Sequence, residues 1–192
     1  MSGAPPVRRS DKLMTDQAVQ QLLVRGYCAR VATVGADGAP YCTPFLYVWM
    51  DGELYIHSSA ARGHFRANID AEARVCVVVD EAGEVFDYGR FECDVALAHA
   101  SVVVHGRIRV IEERSVKQRF CDRLMAKYHG RDVGRPKSFY PRLDMISVYA
   151  VLADRATGKE TPLPAPDDQW PAKDKSKTPN AVVWQERNRG HA

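Results

Sequence analysis

The residues best placed to do chemistry are grouped where an apolar run, Glu53 to His57, gives way to Ser58-Ser59-Ala60-Ala61-Arg62-Gly63-His64-Phe65-Arg66. Ala60 to Ile69 reads as a short helix, with Phe65 and Ile69 at i,i+4 on its buried face. Ser58 and Ser59 are natural N-cap residues. Unpaired N–H groups and the helix dipole both favour an anion at a helix start, and Arg62, His64 and Arg66 add cationic donors. The junction is therefore a candidate phosphate site. The alternative is that a serine caps the helix and the arginines lie solvated on its surface. His57 and His64 are candidates for handling a proton, weighed against phosphate or core hydrogen bonding. No G-x-G-x-x-G follows a strand, and no Ser/His/Asp signature, carboxylate pair or H-x-x-x-H helix occurs. Redox chemistry here needs a borrowed cofactor.

Strands must present that junction. Val31 to Val34 is β-branched and apolar, the turn Gly35-Ala36-Asp37-Gly38 follows, and a second apolar run covers Cys42 to Met50. Asp51-Gly52 signals a type I′ hairpin, because both central residues need positive φ. Glu53 to His57 follows as a third strand, so the segment is expected to be an antiparallel meander. Before it, Thr15-Asp16 can cap a helix to about Arg25, with Val19, Leu22 and Leu23 on its apolar face and Gly26 at the C′ position.

After it, Arg74 to Asp80 reads as a strand buried on both faces, and Glu81 to Ala100 as a loop with a helical turn, its aromatics covering the core or lining a pocket. Ser101 to Ile111 alternates. Val102, Val104, Ile108 and Val110 point one way, while Ser101, His105, Arg107 and Arg109 point the other. That polar face is either a solvated sheet surface or the wall of an interfacial ligand site, and Gly106 marks a bulge or a close backbone approach. Ser115 is placed to cap an amphipathic helix to about Tyr128, with Val116, Phe120, Leu124 and Tyr128 at i,i+4 spacing. Arg131 to Arg142 is a basic loop, Met145 to Ala153 the last strand, and Thr157-Gly158-Lys159 a turn. About six or seven strands with two substantial helices and no βαβ alternation predict a mainly β, barrel-like domain with peripheral helices.

Composition bounds the rest. With 192 residues and 45% apolar residues the chain can bury one good core, and a net charge of +3 makes no case for a nucleic-acid surface. No apolar run approaches the ~20 residues of a membrane span. The N-terminus has no apolar signal region, so a cytoplasmic location is expected. The five cysteines include no C-x-x-C, which indicates neither a disulfide framework nor a zinc site. Cys28, Cys42, Cys76 and Cys121 read as buried, and Cys93 as the accessible one. Residues 1–12 are expected to be disordered, 13–159 to form the domain, and 160–192 to be an extended tail whose Trp170 and Val182-Val183-Trp184 dock on the body or a partner.

Several stretches carry a resemblance: A-T-V-G-A-D-G-A-P (32–40), P-F-L-Y-V-W-M-D-G-E-L-Y-I-H-S (44–58), G-H-F-R-A-N-I (63–69) and S-V-V-V-H-G-R (101–107). Their order and spacing over residues 12–155 resemble the FMN-binding split-barrel superfamily, in its pyridoxamine 5′-phosphate oxidase-like and 5-nitroimidazole reductase-like branch. The resemblance implies a six- to seven-stranded antiparallel split β-barrel and a homodimer with FMN in the clefts between subunits. It implies that Tyr41, Thr43 and Pro44 meet the isoalloxazine edge, that Tyr55, Ile56, His57 and Ser58 run beneath the ribityl chain, and that Arg62, Gly63 and His64 hold the phosphate. Ser101, Val103 and His105 of the second subunit would close the site. The chain departs from many relatives in carrying Phe65 where they have Lys or Arg, which leaves the phosphate to Arg62 and His64, with Arg66. No clear C-terminal Trp-plus-Arg element is recognisable beyond Trp184-Gln185-Glu186-Arg187, which points away from pyridoxamine phosphate as substrate. The implied function is an FMN-dependent oxidoreductase passing electrons from NAD(P)H to a small acceptor. The alternatives are a non-catalytic flavin- or haem-binding module, with His99, His105 and His129 as available haem ligands, and a dimeric scaffold.

Overall fold

The computed structural model describes residues 7–89, 91, 93–129, 140 and 142–169. The expectations for the loop around 131–141 and for Trp170, Trp184 and Arg187 fall outside them, the loop almost wholly so. In chain order the elements are helix α1 (Asp16–Arg25), strands β1 (Ala29–Val34), β2 (Pro40–Phe45), β3 (Tyr47–Met50) and β4 (Glu53–Ser59), helix α2 (His64–Ala71), strands β5 (Arg74–Asp87) and β6 (Val95–Ile111), helix α3 (Arg114–Tyr128) and strand β7 (Ile146–Thr161). The seven strands form one sheet in the order β2-β1-β5-β6-β7-β4-β3. Two compact units result: Met14–Asp80 with Val102–Gly158, and the described parts of Met1–Leu13, Glu81–Ser101 and Lys159–Ala192.

In the larger unit the two expected hairpins form. β1 pairs with β2 from Ala29↔Phe45 to Val34↔Pro40, around a turn in which Asp37 Oδ1 accepts from the Ala39 N–H and Gly38 has φ 82°. β3 pairs with β4 from Tyr47↔Ile56 to Met50↔Glu53, and φ of 54° at Asp51 and 78° at Gly52 makes their turn type I′. The expected meander, however, is broken. The run Cys42 to Met50 is two strands, and Leu46 between them carries the chain from one edge of the sheet to the other. A single connecting residue reaches only about 7 Å between its neighbours' Cα atoms. The sheet therefore curls until its edges meet at Leu46, with no β2–β3 ladder to close it. The apolar run gives no sign of the break because apolar residues continue through it, from Phe45 to Tyr47. The result is a mostly antiparallel split barrel with three helices.

Register fixes which side chains go inside. Tyr47, Ile56 and Tyr149 are opposite one another and fully buried, as are Val31 and Val77. The other face of β3, β4 and β7 carries Val48, Met50, Tyr55, Val148 and Ala150, covered by Phe120 of α3 with Val116, Cys121 and Leu124 beside it. α3 starts two residues earlier than expected, at Arg114. Ser115 lies inside its first turn, and the N-cap Glu113 makes no side-chain cap bond. α1 is capped as the sequence indicates, Thr15 accepting from the Ala18 N–H at 3.2 Å. Gly26 has φ −52°, so it is no left-handed C′ glycine; a Cβ there would lie 2.4 Å from Val79 Cγ1. β5 is not buried on both faces over 74–80. It alternates, Val75, Val77 and Val79 in and Cys76 and Val78 half-exposed. Cys42, expected inside, is exposed on the outer face of edge strand β2. At Gly106 the close approach is real, since a Cβ would meet the Leu152 carbonyl oxygen at 2.2 Å.

In the second unit the expected loop and helical turn over 81–100 are replaced by strand: β5 continues to Asp87 and β6 begins at Val95. Gly83 lies against Ala98, and pairing overrides the helix preference of the alanines. The Tyr88 N–H donates to the Asp94 carbonyl at the tip, where Tyr88 and Phe91 are exposed while Phe86 is buried. β7 likewise runs on to Thr161, where Lys12 Nζ donates to the Thr161 hydroxyl at 2.9 Å. The turn expected at Thr157-Gly158-Lys159 is strand; Gly158 packs under Met14 and Val19, which leave no room for a side chain. Ser10–Lys12 form a single 3-10 turn.

Candidate functional site

The cluster forms around α2. Its apolar side is seated by Phe65, with ring centroids 4.9 Å from Phe45 of β2 and 5.5 Å from Tyr149 of β7. Buried Asn68 donates to the Thr33 hydroxyl of β1 at 3.0 Å. These contacts place the start of α2 beside the edge strand, where the Tyr41 and His64 rings stack at 4.4 Å. Thr43 shares the face of Tyr41 and is half-buried, while Pro44 is exposed on the opposite face.

α2 starts at His64, not at Ala60. Ser58 and Ser59 cannot cap it, because β4 stays paired with β7 as far as Ser59↔Ile146. The N-cap is Gly63, with no side-chain cap bond and nothing within 4 Å of where its Cβ would stand. The N-cap residue therefore offers no side chain to the first N–H groups of α2, and the space where its Cβ would stand is open among the described residues. Arg62 and Arg66 do not reach over that end. Both turn onto Asp70, Arg62 Nη2 to Oδ2 at 2.9 Å and Arg66 Nε to Oδ1 at 2.8 Å. The carboxylate, helped by the Tyr149 hydroxyl, raises the pKa of Arg66. Tyr149, fully buried, hydrogen-bonds the Ser58 hydroxyl at 3.0 Å.

The chain thus brings together Tyr41 with His64, and Arg62 and Arg66 with Asp70, Tyr149 and Ser58. It turns other candidates away. Tyr55 lies in the core against α3, its hydroxyl donating to Glu53 at 3.0 Å, and Ile56 is fully buried, so both can offer a ligand only backbone groups. His57 sits on the α3 face of β4, opposite Ser58, 5.6 Å from the Phe120 ring. Its Nδ1 is shielded with no hydrogen-bond partner among the described residues, and burial lowers its pKa. Val103, and Ser101 close to it in sequence, are half-buried on β6, the middle strand of the sheet. Sequence reasoning missed Asp70 and Tyr149. The i,i+4 spacing of Arg66 and Asp70 was the available signal for the first, whereas nothing local marks Tyr149.

Among the described residues no group of three or more His, Cys, Asp or Glu side chains could hold a metal ion, and no helix is long and apolar enough to cross a membrane.

Comparison with solved structures agrees with the architecture. A candidate 5-nitroimidazole antibiotic resistance protein of Bacteroides thetaiotaomicron is 21% identical, with a TM-score of 0.64 over 77% of this chain and 85% of that one. A conserved hypothetical protein of Mycobacterium tuberculosis is 20% identical, with a TM-score of 0.67 over 83% and 96%. An FAD and haem binding protein of Mycobacterium smegmatis is 25% identical, with a TM-score of 0.64 over 82% and 78%. Among curated proteins, none matches the chain. The family model described as pyridoxamine 5′-phosphate oxidase matches residues 15–160, which span the strands and helices α1 to α3 just described, and the chain belongs to that family.

Proposed function

We propose that this protein is an FMN-binding oxidoreductase that works as a homodimer, taking electrons from NAD(P)H and delivering them to a small acceptor. The observation that carries the reading is the start of α2: an uncapped helix N-terminus at Gly63, open space beside it, and Arg62 and Arg66 within a turn. These are the donors a phosphate ester needs. The family membership and the FAD and haem binding protein of Mycobacterium smegmatis support a flavin. FMN, with one phosphate, matches the single arginine pair.

Bound flavin would supply the hydride-accepting ring; the chain's residues bind, orient and exclude water. Arg62, Gly63 and His64 hold the phosphate, with Arg66 behind them. Tyr41 and Thr43 on one face of edge strand β2, with the backbone of Pro44, flank the ring edge, Tyr41 kept in place by its stack on His64. Tyr55 and Ile56 contribute backbone along the ribityl chain, and Ser58 is steadied by Tyr149. Ser101 and Val103 come from the second copy. His57, shielded beneath α3, serves packing rather than proton transfer. The purified protein tests this: flavin-type absorbance that bleaches with NAD(P)H, in a particle of twice the chain mass, is expected. A lone Soret-type band, or a colourless monomer that takes up no FMN, would overturn it.

A further inference from the structure

Two guanidiniums converge on one carboxylate, and each takes a different oxygen of it: Arg62 on Asp70 Oδ2 at 2.9 Å and Arg66 on Oδ1 at 2.8 Å. That is how paired donors hold a phosphate. The two arms are not equivalent. The Arg66 side chain is 30% exposed and also meets the Tyr149 hydroxyl. The Arg62 side chain is 71% exposed, and Asp70 is its one ion-pair partner among the described residues. An exposed pair of this kind is weak, so Arg62 can change partners readily. Its backbone immediately precedes the N-cap Gly63, so an anion at the start of α2 lies within reach of the same side chain.

We propose that Asp70 is a built-in competitor for the cofactor phosphate, holding Arg62 until a doubly charged group displaces it, and so sets how strongly the site prefers phosphorylated flavin. Arg66 keeps the Asp70 carboxylate in place. Arg62 is the arm that swings from helix flank to helix start. A dianion outbids the single charge of Asp70, whereas an uncharged ligand gains nothing from the exchange. The inference rests on the flavin reading above and adds what regulates its affinity.

FMN and riboflavin share the ring and ribityl chain and differ in the phosphate, so titrating both by flavin fluorescence quenching isolates the phosphate contribution. Asp70→Asn is expected to tighten FMN about three- to twenty-fold, by removing both the competitor and a nearby like charge. Riboflavin is expected to bind unchanged. Adding Arg62→Ala to Asp70→Asn is expected to abolish the gain. Asp70→Ser gives the same reading should the asparagine variant unfold. FMN binding that Asp70→Asn and Asp70→Ser weaken or leave unchanged, a gain that survives the added Arg62→Ala, or a shift shared by riboflavin, overturns this inference alone and makes Asp70 a support for Arg66. No saturable quenching in any form of the protein, wild type included, overturns the flavin reading together with it.

Discussion

Lys127 gives a sharp test of how the larger unit is held together. It is near the end of α3, and its Nζ is shielded from solvent with no hydrogen-bond partner among the described residues. The ammonium lies 3.6 Å from the centroid of the Tyr47 ring. Burial pushes its pKa down from 10.5 to about 8. At about 1.4 kcal/mol per pH unit that displacement sets an upper bound of about 3.5 kcal/mol on the cost of the charge. The side chain is only partly buried and the ring face attracts the cation, so about 1–2 kcal/mol is the reasonable figure. Because the folded pKa is depressed, the unfolded chain binds more protons between pH 8 and 10.5, and stability rises with pH across that window. The penalty is fully present below about pH 8. Lys127→Met keeps the stem and removes the charge. It should stabilise the protein by about 1–2 kcal/mol at pH 7, about 2–8 °C in Tm, and by far less near pH 10.5. Denaturant unfolding of both proteins at the two pH values measures the difference. A variant less stable at pH 7 would make the cation–π contact dominant, and a gain independent of pH would mean that the buried charge is not its source; either result refutes the reasoning.

Three further outcomes follow from the same contacts. Gly106→Ala should cost more than the ~1 kcal/mol ordinary for strand positions, since its Cβ would meet the Leu152 carbonyl oxygen, and a Tm unchanged in a thermal scan would contradict the close β6–β7 approach. Tyr128→Phe removes the hydroxyl that accepts from the Tyr47 N–H at 3.1 Å and donates to the Tyr27 carbonyl at 2.7 Å; chemical unfolding should show a loss of about 1–3 kcal/mol. The Glu53 carboxyl is held below its usual range by Arg109, so the pair's stabilisation is present above about pH 4.5 and lost on acidification. In Arg109→Leu that part of the acid-unfolding slope should flatten; an unchanged profile would mean that the pair contributes nothing.

What could be read from the residues was mostly local. Asp51-Gly52 specified its turn because positive φ at both positions leaves few alternatives, and Thr15 specified a cap because its hydroxyl is free to turn back. Gly106 was readable because a glycine in an alternating strand needs a neighbour's backbone to explain it. The step across Leu46 was not readable, since strand pairing between distant segments leaves no local mark. The alanines of Val95 to Ala100 carry helix propensity that only pairing with β5 overrules. At the candidate site the composition of the junction was legible, but its arrangement was not. Ser58 and Ser59 are tied to β7, His57 faces α3, and the arginines answer to Asp70, each a consequence of tertiary register.

On the proposed function, the start of α2 holds the phosphate of a flavin. Its most direct test is an FMN titration of the full chain, followed by quenching of flavin fluorescence, beside Arg62→Ala. A charge-assisted arginine bond contributes about 1.5–3 kcal/mol, reduced here by the Asp70 pairing that must first be broken. Saturable binding, weakened about tenfold in the variant, is expected. No saturable binding, or equal affinity in both proteins, would contradict it.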